Sequence, residues 1–186
     1  VEYDLDTRQR SSRGAHAAGL LRELVDAEDA VVVNNGAAAL VLVLAAVAGG
    51  RRVAVITVTG GGGIVSTDLL SDWDLEVPDL APETISALQE IFPPWMPPKN
   101  PVDLWPTMEI RGINEAFELV VPVVMRDPNI DAVLLLPFAS PFVQTQKVDI
   151  FTRAMKETKK PIVSWVFGFP SLFETFEGTM RAAGIP

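Results

Sequence analysis

The stretch RRVAVITVTGGGGIVSTDLL, residues 51–70, limits most strongly what this chain can fold into. Val53 to Thr57 is a short run rich in β-branched residues, which is typical of a buried strand. Four consecutive glycines, Gly60 to Gly63, follow it, and apolar residues then recur at helical spacing. The order of strand, glycine turn and helix favours an α/β architecture.

The glycine turn predicts an anion site. Unpaired N–H groups at the start of the helix, together with the positive end of its dipole, would point beyond the carboxyl end of the strand. Phosphate is the usual occupant of such a place. We therefore expect a small-molecule anion to bind the backbone of Gly60, Gly61, Gly62, Gly63 and Ile64. Gly62→Asp is expected to abolish this binding and to leave the fold mostly intact.

Other interpretations of the glycines stay open. No Lys follows them, so the turn is not a P-loop, and Ile64 stands where a dinucleotide fingerprint would continue towards its third glycine. The glycines are also explained if they only let the helix pack closely on the sheet.

Composition excludes several classes of function. The 186 residues are 48% hydrophobic, carry a net charge of −9 and include no cysteine. An acidic chain without a basic stripe is expected to bind no nucleic acid, and a single histidine, His16, cannot form a histidine metal cluster. The apolar run at 37–47 is shorter than the roughly 20 residues that a membrane helix needs. We expect a cytoplasmic protein without a metal site and, because the sequence starts at Val1, a fragment of a longer chain.

Strands and helices alternate along the sequence. This alternation predicts a flavodoxin-like, doubly wound parallel sheet in a single α/β domain, preceded by an N-terminal helical and extended arm. Long apolar runs predict central strands at 131–136 and 161–167, parallel to 53–57 and with helices on both faces. The remaining predicted elements are an extended segment at 1–13, strands at 30–33 and 75–77, and helices at 14–26, 37–48, 113–125, 143–156 and 170–183, with another beginning at 81–83.

The first fifty residues resemble one known family. EYDL (2–5), SRGAH (12–16) and AEDAVVVNNGAAALVLVLAA (27–46) look like the early part of bacterial selenocysteine synthase, L-seryl-tRNA(Sec) selenium transferase. The resemblance implies a pyridoxal-phosphate enzyme whose asparagine turn, here Asn34-Asn35, lies at the cofactor phosphate. Gly36 replaces a third asparagine, and the lysine that would hold the cofactor has no counterpart. We therefore predict no working pyridoxal-phosphate site; Asn34 and Asn35 are also explained by turn and helix-cap chemistry.

The rest of the chain, 51–186, resembles a second family. The segment from Gly60 to Asp68 and the NPVD motif at 100–103 look like paired motifs of NDP-forming acyl-CoA synthetases, relatives of succinyl-CoA synthetase and ADP-forming acetyl-CoA synthetase. The resemblance implies a flavodoxin-like ligase domain in which a helix N-terminus faces a phosphohistidine formed from acyl phosphate. It also implies CoA and ATP or ADP for the complete enzyme, an ATP-grasp domain and a histidine-bearing CoA-binding domain as partners, and the option of a homo-oligomer.

Three polar residues are expected to support the site: Asn100, Asp103 and Asp68. The Asp103 carboxylate either fixes the glycine turn or a ligand through hydrogen bonds, or caps a turn or helix after Pro101. Asp68 is better explained by an exposed helix face or by capping of its own helix. No catalytic residue and no tightly bound cofactor are expected in this chain alone.

Three functions follow from these patterns. The first is a domain of an NDP-forming acyl-CoA synthetase, an acid–thiol ligase, that is inactive by itself. The second is a non-catalytic module of the same fold that binds an anion or acyl-CoA. The third is a fragment of a selenium transferase. An ATP-grasp domain and a histidine-bearing domain in a longer parent chain would favour the first.

Overall fold

The computed structural model describes residues 2–3, 10–11, 15–28, 30, 39, 43–44, 46, 48, 50–141 and 147–186. The chain divides into two compact units, residues 1–39 and 40–186. In the first, β1 (Glu2–Tyr3) pairs antiparallel with β2 (Arg10–Ser11), and α1 spans Ala15–Val25. The helix prediction for 14–26 is confirmed. The predicted strand at 31–33 and the turn at 34–36 lie outside the described residues.

The second unit contains the predicted parallel sheet. Its strands are β3 (Val53–Thr57), β4 (Val102–Asp103), β5 (Ala132–Leu136) and β7 (Ile162–Ser164), in the order β4-β3-β5-β7, and all neighbours are parallel. The prediction that three apolar runs form parallel neighbours is thus confirmed. A short pair, β6 (Phe138–Ala139) with β8 (Phe167–Gly168), continues beyond β5 and β7.

Helices follow the strands as the alternation predicts. Their bounds are α2 Gly60–Asp72, α3 Pro82–Gln89, α4 Trp105–Arg111, α5 Ile113–Met125, α6 Asp149–Thr158 and α7 Pro170–Ala182.

Two apolar cores cover the two faces of the sheet. Ala54 and Ile56 belong to one core, while Val53 and Val55 belong to the other, because successive strand residues point to opposite faces. Helices α3 to α7 contribute to the first core. Leu70 of α2, together with Leu44 and Ala48, contributes to the second, and all three are buried. The sheet is therefore covered on both faces, which explains why its strands are apolar throughout.

Several local predictions differ from the structure. The predicted strand at 75–77 is reduced to a single bridge between Arg52 and Glu76. The predicted strand at 161–167 is divided into β7 and β8. The helix predicted at 143–156 begins at Asp149, and its predicted first residues lie partly outside the described region. Helix α4 was not predicted, although Pro106 occupies its first turn, where proline is well tolerated.

Candidate anion-binding edge of the sheet

Helix α2 begins at the first of the four glycines. Thr59 is its N-cap residue, and the Thr59 Oγ1 atom accepts a long hydrogen bond of 3.5 Å from the Gly62 N–H. The Gly63 N–H donates to the Thr59 carbonyl at 3.2 Å. Within the described part of the chain, the N–H groups of Gly60 and Gly61 have no hydrogen-bond partner, and both residues are exposed. These two groups are the open donors of the turn.

This geometry corrects the expectation for the later residues of the turn. A helix that starts at Gly60 already uses the Gly63 N–H, and Ile64, as its fifth residue, is placed to bond the carbonyl of Gly60. The donors available to an anion are therefore centred on Gly60 and Gly61 instead of extending to Ile64. The role of these glycines in binding phosphate remains a prediction.

The loop before the helix is fixed by a buried threonine. The Thr57 hydroxyl donates to the Thr59 carbonyl at 2.9 Å and accepts the Thr59 N–H at 3.1 Å. Thr57 is fully buried at the end of β3. The direction of the open N–H groups is thus set by the strand, which favours preorganised binding.

The four glycines have different surroundings. A Cβ atom on Gly62 would lie 3.3 Å from both Leu136 Cδ2 and Thr59 Cγ2, and one on Gly63 would lie 3.1 Å from Pro101 Cβ. A Cβ on Gly61 would meet only Thr59 Oγ1, at 3.8 Å. Gly62 and Gly63 therefore permit close packing on the sheet. At Gly62→Asp the side chains of Leu136 and Thr59 would have to shift by a few tenths of an ångström, so Gly61 is the better position for a test substitution.

Asp103 lies beside the glycine turn. Its position follows from the pairing of β3 with β4, which sets Thr57 opposite Asp103. Its Oδ1 atom accepts the Trp105 N–H at 3.0 Å at the start of α4, and its Oδ2 atom lies 3.2 Å from the place where a Gly60 Cβ would be. The bond to the Trp105 N–H agrees with the interpretation of Asp103 as a turn cap, and Oδ2 lies beside the glycine turn. A carboxylate here limits the net attraction for an anion, since like charges repel.

The other two supporting residues lie elsewhere. The Asn100 side chain bonds only backbone: its Nδ2 donates to the carbonyls of Val53 and Pro78, both at 3.0 Å, and its Oδ1 accepts the Val55 N–H at 3.0 Å. Asn100 thus extends the pairing of β4 along the first half of β3. Asp68 is exposed and eight residues beyond Gly60, about 12 Å along the helix. The structure brings Asp103 to the turn, and not Asn100 or Asp68.

The sequence analysis did not predict a charged cluster at the amino ends of the strands, at the opposite end of the strands from the glycine turn. Arg52 donates to both carboxylate oxygens of Asp131, from Nε at 3.0 Å and from Nη2 at 2.6 Å. This hydrogen-bonded pairing lowers the pKa of Asp131. Lys160 donates from Nζ to the Asp127 carbonyl at 2.6 Å, and partial burial lowers its pKa. The sequence contained a signal for this ion pair, because Arg52 and Asp131 each stand directly before an apolar run. The first residues of these two strands, Val53 and Ala132, are paired, which brings the two side chains together.

The described residues contain no group of three or more His, Cys, Asp or Glu side chains arranged to hold a metal ion. They also contain no helix with the length and apolar character needed to cross a bilayer.

The parallel sheet with helices on both faces defines a flavodoxin-like α/β domain. Two solved structures are similar to this chain. The crystal structure of PH0766 from Pyrococcus horikoshii matches 90% of this chain and 39% of its own, with a TM-score of 0.68 and 24% identity. The dinucleotide-forming acetyl-coenzyme A synthetase 1 of Candidatus Korarchaeum cryptofilum, in complex with phosphate and ADP, matches 90% of this chain and 40% of its own, with a TM-score of 0.60 and 18% identity. At these identities the likeness shows the fold.

Curated relatives are similar in sequence. The ADP-forming acetate–CoA ligase II of Archaeoglobus fulgidus is 27% identical over 112 residues, which are 60% of this chain and 16% of that protein. The alpha subunit of the ADP-forming acetate–CoA ligase II of Pyrococcus furiosus is 30% identical over 129 residues, 66% of this chain and 27% of that subunit. The matches thus cover only about a sixth and a quarter of the two relatives' lengths.

The beginning of the chain is similar to a different family. The family model of SelA, L-seryl-tRNA selenium transferase, matches residues 1–64. This match ends inside α2, four residues after Gly60, so it includes the glycine turn. Both resemblances seen in the sequence therefore have support, each over part of the chain.

Proposed function

We propose that residues 51–186 form a domain of an NDP-forming acyl-CoA synthetase. In this role the start of α2 faces a phosphate, or a phosphohistidine carried by a partner domain. The observation that carries the proposal is the pair of open N–H groups at Gly60 and Gly61, held at the carboxyl ends of parallel strands. The sequence similarity to ADP-forming acetate–CoA ligases supports it.

The contribution of this chain to the reaction would be electrostatic. Two backbone donors and the positive end of the α2 dipole stabilise negative charge on a phosphoryl group without accepting or donating a proton. The buried Thr57 hydroxyl keeps the turn in place, so little reorganisation is needed when the charge arrives. Asp103 holds the first N–H of α4 and lies next to Gly60, which positions this loop against the turn.

The rest of the active site would come from other domains. We propose an ATP-grasp domain that binds ATP or ADP and a histidine-bearing domain that binds CoA, both in the same enzyme. On this account the isolated chain supplies half a site, and it should form no acyl-CoA from acid, ATP and CoA. Turnover by the isolated chain in a coupled assay would contradict the proposal.

A chimeric enzyme tests the proposal directly. The part of the Archaeoglobus fulgidus ligase that corresponds to residues 51–186 is replaced by these residues, and formation of acetyl-CoA is measured. We expect activity in the chimera, retention in Gly61→Ala and loss in Gly61→Asp, because only the aspartate places a carboxylate over the open donors. An inactive chimera with a native circular dichroism spectrum, or equal activity of the two variants, would contradict the role of the turn.

The match of residues 1–64 to SelA supports a second candidate, a fragment of a pyridoxal-phosphate-dependent selenium transferase. This candidate requires a lysine that forms an imine with pyridoxal phosphate. We expect no such imine here. An imine absorbance band that borohydride removes would favour the transferase over the ligase.

A non-catalytic module that binds an anion or acyl-CoA is the remaining alternative. The open donors at Gly60 and Gly61 would serve such a module equally well. It predicts phosphate binding by the chain together with an inactive chimera, so the two experiments separate it from the ligase domain.

A further inference from the structure

A row of charged residues crosses the amino ends of three neighbouring strands. Strand β5 pairs with β3 on one side and with β7 on the other, and these registers place Arg52, Asp131 and Lys160 side by side before the three strands. The central carboxylate bonds only one of its two neighbours. Asp131 accepts from the Arg52 side chain on both oxygens, at 3.0 and 2.6 Å, and from the Arg52 N–H at 3.1 Å. Asp131 is therefore committed to Arg52 and not to Lys160.

The other carboxylate near Lys160 is also occupied. Asp127 is 1% exposed, and its two oxygens accept the N–H groups of Ala81 at 2.8 Å and Asn129 at 2.7 Å. The Lys160 Nζ atom instead donates to the main-chain carbonyl of Asp127, at 2.6 Å. Within the part of the chain that the structure describes, no carboxylate forms an ion pair with Lys160. Its amine is thus held by a neutral acceptor.

These surroundings favour the neutral form of the Lys160 amine. Partial burial lowers the pKa of Lys160, because the ammonium loses part of its water. The charges of Asp127 and Asp131 act in the opposite direction, and the Arg52 guanidinium adds to the lowering. A lysine that is desolvated, or that lies beside another cation, is an activated nucleophile. The neutral amine still has N–H groups to donate to the Asp127 carbonyl, which leaves its lone pair available for attack.

We propose that Lys160 is the preferred site of N-acylation in this chain, with an acyl phosphate as the acyl donor. The amine lone pair attacks the carbonyl carbon of the acyl phosphate, and a C–N bond forms. The bond between this carbon and the phosphate oxygen then breaks, and inorganic phosphate leaves with its electron pair. The nitrogen releases one proton to solvent. The products are an amide on Lys160 and inorganic phosphate.

The source of the acyl donor rests on the proposed function, because a synthetase of that class uses acyl phosphate. The reactivity of Lys160 rests only on the contacts of the charged row. Acylation removes one positive charge and keeps an amide N–H for the Asp127 carbonyl. Since Lys160 lies before β7 and the glycine turn follows the carboxyl end of β3, the modified chain should bind inorganic phosphate as before.

Site-resolved mass spectrometry tests the preference. The folded chain is incubated with acetyl phosphate, and initial rates are measured at its five lysines, Lys99, Lys147, Lys156, Lys159 and Lys160. At about pH 7.5 we expect Lys160 to react at least about threefold faster than its exposed neighbour Lys159, because more of it is neutral. At about pH 10.5 this advantage should shrink, since a large fraction of every lysine is then neutral.

The matched variant is Arg52→Gln. It frees the Asp131 carboxylate to pair with Lys160, so acetylation of Lys160 should slow to about the rate of Lys159 while Lys159 stays unchanged. A second control is the unmodified chain unfolded in urea, where the preference should vanish because the row no longer exists. Circular dichroism checks the fold of the variant. If Arg52→Gln does not fold, the two pH values and the urea control carry the test.

Three results would overturn the proposal. Lys160 could react no faster than Lys159 at neutral pH. Its advantage could persist in urea, which would assign it to the local sequence. It could also persist in a folded Arg52→Gln variant, which would exclude the charged row as the cause. None of these measurements uses formation of acetyl-CoA by the chimera, so failure of this inference and failure of the proposed function are read separately.

Discussion

The two edges of the sheet use polar groups in opposite ways. At the amino ends of the strands, side chains bond each other or the backbone: Arg52 with Asp131, and Lys160 with the Asp127 carbonyl. At the carboxyl ends, the backbone donors of Gly60 and Gly61 have no partner among the described residues. The first edge stabilises the fold, and the second is open to a ligand.

In this protein the perturbed pKa values lie away from the proposed anion site. A perturbed pKa in a cluster is a common indicator of a functional site. Here the pKa of Asp131 and that of Lys160 are shifted, and both residues lie at the closed edge. The proposed site consists of neutral backbone N–H groups, so a perturbed side-chain pKa does not mark it.

The largest effect is expected from Asn100, which supports the closed part of β3. Asn100→Ala removes three hydrogen bonds and leaves the Val55 N–H and two carbonyls without a partner. At roughly 1 kcal/mol for each bond, the loss should be about 2–4 kcal/mol in the free energy of unfolding. Urea denaturation measures it. The control is Asn129→Ala, which removes one side-chain hydrogen bond, from Nδ2 to the Asp79 carbonyl, at a more exposed side chain. A similar small loss in both variants would contradict the structural role of Asn100.

The next largest effect on stability distinguishes Gly63, which packs closely against Pro101, from Gly61, where a side chain has room. Gly63→Ala places a methyl group 3.1 Å from Pro101 Cβ and should cost about 1–3 kcal/mol, as overpacking does. Gly61→Ala meets no such contact and should raise stability by up to about 1 kcal/mol, because alanine is the better helix former. Both are read from thermal unfolding. Equal effects of the two substitutions would remove the distinction between packing and open glycines.

The smallest stability effect concerns acid. The folded pKa of Asp131 lies below its ordinary value because Arg52 donates hydrogen bonds to the carboxylate, with Lys160 a weaker favourable charge. Its contribution is therefore present above the unfolded pKa of about 4 and is lost as pH falls through the lower folded pKa. We expect Asp131→Asn to be less stable than the unmodified chain at pH 7, with the difference narrowing below pH 4. A constant difference from pH 7 to pH 2 would contradict this linkage.

The sequence predicted the parts of the fold that depend on continuous patterns. The apolar runs of β3, β5 and β7 specified buried parallel strands, and the four glycines marked the start of α2. The sequence was less informative for short segments and single side chains, whose positions depend on contacts with other parts of the chain. Residues 75–77 form only one bridge to Arg52, and the Asp103 carboxylate lies near the turn only because β4 pairs with the end of β3.

The positions of the site residues depend on strand pairing and helix capping, which residue spacing in the sequence does not determine. The NPVD motif put Asn100 and Asp103 three residues apart, yet one bonds the start of β3 and the other lies at its end. The open N–H groups are those of Gly60 and Gly61, and not the predicted set that extended to Ile64. The reason is that Thr59 is the N-cap residue and its carbonyl accepts the Gly63 N–H. Both outcomes follow from hydrogen-bond geometry across the chain, which a single sequence does not display.

The central claim is that the carboxyl edge binds an anion through the backbone of Gly60 and Gly61. The most direct measurement is an amide NMR titration of the unmodified chain with inorganic phosphate. The matched variants are Gly61→Asp, which places a carboxylate over the donors, and Gly61→Ala, which adds a side chain without charge.

We expect the amide signals of Gly60 and Gly61 to shift in the unmodified chain and in Gly61→Ala. The dissociation constant should be roughly millimolar, equivalent to about 4 kcal/mol, because each contact of this kind is weak and Asp103 lies nearby. In Gly61→Asp these shifts should be absent while the rest of the spectrum stays native. If the two glycine amides do not shift in the unmodified chain, or shift equally in Gly61→Asp, the turn is only a packing device and the account of this edge as an anion site is contradicted.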